Sequence, residues 1–149
     1  MSDALTVRPV AAADFAQWLP LWVGYHRFYG RAIADDVTRV TWGRFFDAYE
    51  PLEALVAEAG GGLIGLAHTI LHRNTSMIAP VCYMQDLFVA EEARGHGVGR
   101  ALIEAVYARA RAAGLARVYW QTHETNATAQ ALYDKVAERS GFIQYRKQL

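Results

Sequence analysis

Gln85-Asp-Leu-Phe-Val-Ala-Glu-Glu-Ala-Arg-Gly-His-Gly-Val-Gly-Arg-Ala-Leu-Ile103 is the stretch that decides how this chain folds. Its first residues close a β-rich run, Val81 to Val89. A short loop over 90–97 comes next. Glycines at 95, 97 and 99 then enter a segment in which Val98, Leu102, Ala105, Val106 and Ala110 recur at helical spacing, which predicts a helix to about Ala113. A strand, a glycine loop and a helix in that order suit an anion. Glycine lets the backbone approach a ligand closely. The first-turn amides of a helix have no partner inside it, and the helix dipole is positive there. Arg94 and Arg100 flank the loop and add cationic donors. The dinucleotide fingerprint would need glycine where Arg100 stands, and no Gly-Lys-Ser/Thr follows to make a Walker loop. With no ligand, the same residues would make only a tight strand-to-helix turn.

Outward from this segment the chain alternates between strand and helix patterns. Leu5 to Pro9 reads as a first strand. From Asp14 to Gly30, Phe15, Trp18, Leu19, Trp22, Tyr25, His26 and Tyr29 recur at spacings of three and four, so this is helical, with Pro20 expected to kink or split it. A second helix is expected over about 36–49, with Val37, Val40, Phe45 and Phe46 as its apolar positions. Leu52 to Glu58 and Leu63 to His72 read as a hairpin about Gly60-Gly61-Gly62. After the central helix, which Gly114 is placed to stop, come a strand at Val118 to Thr122, a helix from Asn126 to Arg139 and a final strand at Phe142 to Arg146. Mixed α/β, as one domain over residues 1–149, is the economical reading.

Composition narrows the function classes. Fifteen basic residues balance fifteen acidic ones, and 53% of the chain is hydrophobic, so no nucleic-acid partner is expected. No apolar run approaches the length of a membrane span, and the Met1-Ser-Asp-Ala start lacks the basic and apolar regions of a leader, so a cytoplasmic protein with no membrane partner is expected. The single cysteine, Cys82, can make no internal disulfide and reads as a small buried hydrophobe rather than a nucleophile. The Asn-x-Ser/Thr triplets at Asn74 and Asn126 then arise by chance. His68 and His72 lie on a strand pattern with no carboxylate to complete a set, so no metal is expected.

Arg94-Gly-His-Gly-Val-Gly99 resembles the Arg/Gln-x-x-Gly-x-Gly/Ala signature of the GNAT acetyltransferases, and it lies where they place it, after the fourth strand and at the start of the third helix. Asn126-Ala-Thr-Ala-Gln-Ala-Leu-Tyr133 resembles their Asn-x-x-Ala-x-x-Leu/Phe-Tyr block. The resemblance covers nearly the whole chain. It implies a mixed sheet of about six or seven strands, splayed into a V between strands 4 and 5, with helices on both faces. It implies acetyl-CoA as co-substrate, with no metal. The amides of Arg94, Gly95, His96, Gly97, Val98, Gly99 and Arg100 would hold the pyrophosphate. The backbone of Leu87, Phe88 and Val89, with Asn126 and Ala129, would hold the pantetheine arm. Tyr133 would protonate the leaving thiolate, a task open to a phenol because it keeps its proton at pH 7. From the residues alone, Asn126 could equally be only a helix cap and Tyr133 only a core aromatic.

Within the family, Tyr83-Met-Gln-Asp-Leu-Phe-Val89 and Trp120-Gln-Thr-His-Glu-Thr-Asn126 are most similar to the diamine acetyltransferase and fungal Hpa-type branch. That branch carries Glu where this chain has Gln85, and an amide can neither take a proton nor pair with an ammonium as a carboxylate does. Tyr25, Phe28 and Tyr29 are candidate acceptor contacts, with core or dimer packing as the alternative. His123 and Glu124 are candidates to receive the amine, or are a solvated loop. Asp86 should point away from Gln85 and reads as a structural hydrogen-bonding group. The implied reaction is acetyl transfer to a primary amine of a small molecule, a polyamine, diamine or amino-acid-like compound, by direct attack in a ternary complex, with a homodimer expected from the branch. A peptide or protein amine as acceptor, a non-catalytic acyl-CoA sensor and a structural dimer with a vestigial site stay open.

Overall fold

Pairs of residues that lie two apart set the sheet. In the computed structural model, which describes residues 4–149, β1 (Thr6–Pro9), β2 (Leu52–Ala59), β3 (Gly62–His72) and β4 (Val81–Val89) pair antiparallel in sequence order, and β5 (Val118–Tyr119) joins β4 in parallel. The Met1-Ser-Asp start lies outside the described residues. β2 turns into β3 through Gly60 and Gly61, both at positive φ, as a two-residue hairpin loop requires. Leu55, Ala57 and Ala67 pack with Val98, Leu102, Ile103 and Val106 of α3 (Val98–Ala112), while Val56 and Leu66 pack with Trp18, Leu21 and Trp22 of α1 (Phe15–Phe28). Both faces of the sheet are therefore covered, which is why β2 reads as a nearly unbroken apolar run.

Several expectations need correction. The sheet has five strands among the described residues rather than six or seven. Residues 142–146 form no strand, and Phe142, Ile143 and Tyr145 stand exposed. The fifth strand stops at Tyr119, short of Thr122, and α4 (Ala127–Val136) stops short of Arg139. The chain stays helical through Pro20. The loss of one amide hydrogen bond there is offset by Trp18 and Trp22, which stack at 5.4 Å. α2 (Asp35–Arg44) exposes Val37 and Val40, and Phe46 beyond it is exposed too, while Thr38 is buried and Trp42 packs on Phe15 and Trp18. A short polar helix held by one indole has no room for a full apolar face.

Two features of β4 shape the end of the sheet that meets the glycine loop. Its pairing with β5 covers only Cys82↔Val118 and Tyr83↔Tyr119, so beyond Tyr83 the strands part, as the expected splay requires. The β3–β4 register then shifts, with Thr69 opposite Met84 and His68 opposite Asp86, which leaves Gln85 as an inserted residue. Cys82 and Met84 before the bulge, and Leu87 and Val89 after it, share the α3 side, while Phe88 faces α1.

Candidate active site

The glycine loop is built for open amides. A 3-10 turn over Glu91–Ala93 follows β4, and the Arg94 Nε–H then donates to the Val89 carbonyl at 2.9 Å, folding the loop onto the strand end. The guanidinium lies over Phe88 and Phe28, at 5.4 and 5.8 Å. Gly95 and Gly97 take φ of +81° and +79°, where a side chain would be strained. Gly97 is the N-cap of α3, and no side chain caps that end. His96 reaches only back to the Ala93 carbonyl, and Arg100 lies beside Glu104 on the exposed side of the helix. A Cβ on Gly99 would lie 3.4 Å from Leu132 and 3.8 Å from Val89, so the start of α3, the end of β4 and α4 meet at this glycine. The result is a concentration of unfilled N–H groups at the positive end of a 15-residue helix, beside the gap between β4 and β5.

On α4, the Asn126 Oδ1 accepts from the Ala129 amide at 3.2 Å, so Asn126 does cap the helix, and that amide is engaged. Tyr133, two turns on, packs on Trp120 at 5.4 Å. Burial, with a smaller contribution from nearby Tyr29, pushes the Tyr133 phenol up to about 12. Cys82, by contrast, is buried in the core, its thiol raised to about 11 by desolvation, which suits packing and not nucleophilic attack.

The acceptor candidates separate into two groups. Tyr25 is buried, meets Phe88 and Tyr29 edge to face, and donates from its hydroxyl to the Gln85 carbonyl at 3.4 Å. Its phenol is held well above the ordinary range by burial and by the Asp86 carboxylate. Tyr29 and Phe28 are exposed, and the Gln85 side chain points out from the bulge. These residues meet at one end of β4. His123 and Glu124 do not join them through any hydrogen bond among the described residues. His123 Nδ1 accepts from the Thr125 hydroxyl and amide, and the carbonyls of both residues accept from Gln130, so they are knit into their own loop.

Asp86 proves to be the buried group of this end. Its Oδ2 lies 2.9 Å from His68 Nδ1, and the Trp18 indole N–H donates to His68 Nε2 at 3.0 Å. An indole can only donate, so Nε2 accepts and the ring proton sits on Nδ1, where it is given to Asp86. His72 sits at the exposed strand end against the Tyr119 hydroxyl. The alternation of Gln85 and Asp86 foretold that Asp86 points inward, but not that its partner would be a histidine on the neighbouring strand. The i, i+18 spacing of His68 and Asp86 carries no local signal. A larger cleft, about 320 Å³, lies under Val106 and Ala110, at the opposite end of α3 from the glycine loop.

Residues 16–137 match the acetyltransferase (GNAT) family. The chain belongs to the GNAT family. It is 37% identical over 149 residues to the D-amino-acid N-acetyltransferase HPA3 of Saccharomyces cerevisiae, a match that covers 99% of this chain and 92% of that protein. It is 32% identical over 117 residues to an aminoglycoside N(6')-acetyltransferase type 1 of Stenotrophomonas maltophilia, covering 76% and 72% of the two chains. The fold is that of the aminoglycoside acetyltransferase AAC(6')-Iy solved with a bisubstrate analogue, with a TM-score of 0.83 at 22% identity over 98% of this chain and 99% of that one. The GNAT chain is thus an acyltransferase, an N-acetyltransferase, of the α/β GNAT fold and similar to the Hpa-type branch. No helix among the described residues is long and apolar enough to cross a membrane.

Proposed function

We propose that this single-domain enzyme transfers the acetyl group of acetyl-CoA to the primary amine of a small, amino-acid-like molecule, by direct attack within a ternary complex. The observation that carries this is the parting of β4 and β5 beyond Tyr83 beside the uncapped, glycine-rich start of α3. The open amides at 95–100, with Arg94, would take the pyrophosphate. The gap would take the pantetheine arm along Leu87, Phe88 and Val89, with Asn126 and Ala129 at its far wall. A backbone amide of this strand would face the thioester oxygen as it becomes an oxyanion. The amine attacks as a neutral base. Its nitrogen bonds to the acyl carbon, the carbon–sulfur bond breaks, and Tyr133 gives its hydroxyl proton to the thiolate while the amine's surplus proton leaves through water.

The acceptor would enter beside Tyr25, Phe28, Tyr29 and the Gln85 bulge. Asp86, held by His68, would add a negative charge that Gln85 lacks, and His123 and Glu124 would border the entrance. The 37% identity to a D-amino-acid acetyltransferase over the full chain favours an amino-acid-like acceptor over a polyamine. Release of the CoA thiol across a panel of diamines, polyamines, amino acids of both hands, aminoglycosides and short peptides tests the reading. Turnover with amino acids is expected. Acetyl-CoA binding with no turnover of any amine would instead support the acyl-CoA sensor.

We also infer a cytoplasmic homodimer. The exposed Phe142, Ile143 and Tyr145, on a tail unpaired beside the short β5, support it, since an apolar extended segment and an open strand edge on one chain complement a second copy. Light scattering is expected to give about twice the 16.6 kDa of one chain. A single-chain mass, unchanged on deletion of residues 141–149, would rule the dimer out.

A further inference from the structure

Between the end of α1 and α2 lies a cleft of about 190 Å³, with Trp22, His26, Arg27, Arg31, Ile33 and Thr38 among its walls. His26 is 8% exposed, yet neither ring nitrogen has a hydrogen-bond partner among the described residues. A buried donor left unfilled is costly, and native proteins keep few of them. Burial, and then the Arg31 cation, hold the His26 pKa below the ordinary imidazole range, so at pH 7 the ring is neutral and offers one N–H and one lone pair. Its neighbours do not absorb it. The Trp22 indole N–H is spent on the Thr38 hydroxyl at 3.0 Å, and Trp22 meets the His26 ring edge to face at 4.1 Å.

The charges around the cleft are one-sided. Arg27 and Arg31 both line it, and neither forms an ion pair with a carboxylate among the described residues, although the seven pairs that do form engage five other arginines and His68. Arg31 lies over Tyr29 at 4.9 Å and over Tyr25 at 5.9 Å. The acid whose charge acts on His26, Asp86, is engaged by His68. Two unpaired guanidinium groups and an unfilled buried N–H around a small concavity suit a planar anion that accepts on two oxygens. The volume is below the roughly 300–1,000 Å³ of drug-sized pockets, so it fits one small group.

Tyr25 connects this cleft to the chemistry. One side of its ring carries Arg31, and its hydroxyl reaches the Gln85 carbonyl at the bulge. We propose that the α1–α2 cleft is the carboxylate subsite of the acceptor, with Arg31 as the specificity-determining residue and His26 as a second donor. The acceptor then carries a carboxylate as well as the amine that is acetylated. This rests on the reading that an amine is acetylated at the β4 bulge.

The test compares phenylalanine of both hands with phenethylamine, its decarboxylated counterpart, at saturating acetyl-CoA, in wild type and in Arg31→Gln. Arg31 is exposed, so the variant is expected to fold. Wild type is expected to favour one hand of phenylalanine over phenethylamine at least tenfold in kcat/KM. Arg31→Gln is expected to raise KM for phenylalanine about tenfold, as loss of a charged hydrogen-bond pair does, and to leave KM for phenethylamine and for acetyl-CoA unchanged. His26→Phe, which removes the N–H and keeps a ring, should raise KM in the same selective way. Turnover of both amines without preference, or an equal effect of Arg31→Gln on both, overturns the subsite and leaves the acetyltransferase reading standing. Acetyl-CoA binding without turnover of any amine overturns both together.

Discussion

Tyr133→Phe is expected to lower kcat by about 10²-fold while leaving the dissociation constant for acetyl-CoA unchanged. The magnitude is the low end of what a positioned general acid contributes, roughly 10²–10⁴-fold. The substitution removes one oxygen from a ring that stays packed against Trp120 at 5.4 Å, so folding and cofactor affinity have no reason to change. The pH profile supplies a second measure. An ordinary phenol would lose its proton near pH 10, but burial raises Tyr133 to about 12, so the acid stays loaded throughout the usable range. No fall in kcat attributable to Tyr133 is expected below about pH 11. Single-turnover kinetics with isothermal titration of acetyl-CoA separates the two effects. A variant that retains wild-type kcat would remove Tyr133 from the chemistry and leave it as a core aromatic.

Asp86→Ala should be the costliest polar substitution in the molecule, about 3 kcal/mol, the lower end for breaking a buried polar pair by removing one partner. The His68 Nδ1–H now meets Asp86 at 2.9 Å, and both side chains are at least nine-tenths buried. Without the carboxylate that donor has nowhere to go, because the other ring nitrogen is already occupied by the Trp18 N–H. For a domain of this length about 3 kcal/mol corresponds to a fall of roughly 6–12 °C in Tm. Asp86→Asn keeps an acceptor oxygen for the same N–H and should cost about 1 kcal/mol. Thermal unfolding of the two variants side by side reads the difference. Equal, small losses would mean that water fills the site and that the network is not a structural support.

The parts of the fold that were legible in the sequence are those with local causes. β4 runs over Val81–Val89 as its β-rich run predicts, because Pro80 and the 90–97 loop bracket it. α3 ends where Gly114 takes a φ of +71°. The β2–β3 hairpin follows from two adjacent glycines, which take the positive φ of this two-residue turn without strain. What stayed hidden depends on distant partners. Val37 and Val40 fit a helical period, but only a Trp42 packed on α1 decides which face of α2 turns inward. Phe142 to Arg146 has the composition of a strand, yet a strand needs a neighbour, and the described chain offers it none.

The site divides in the same way. The glycine loop and the Asn126–Tyr133 block announce themselves because their residues are contiguous, and the structure gathers them around the parting of β4 and β5. His26, Arg31 and His68 give no such signal. Each sits among aromatic or apolar neighbours where a packing role is the ordinary expectation, and only the unfilled nitrogens of His26, the absence of an acid beside Arg31 among the described residues and the bonds of His68 to Trp18 and Asp86 set them apart. A sequence displays the residues present at a position. It does not display which of their hydrogen bonds remain unmade.

The extra residue in β4 has a consequence for how such an enzyme diversifies. Because Gln85 is the extra residue between two half-strands, its side chain belongs to neither core: Met84 and Leu87 face α3 while Asp86 and Phe88 face α1, an alternation that would hold without Gln85, and exchanging it leaves both cores untouched. The position is free in identity, and it faces solvent. With the acceptor entering as proposed above, evolution could rewrite the chemistry offered to an incoming amine there, one letter at a time, without disturbing the rest of the strand.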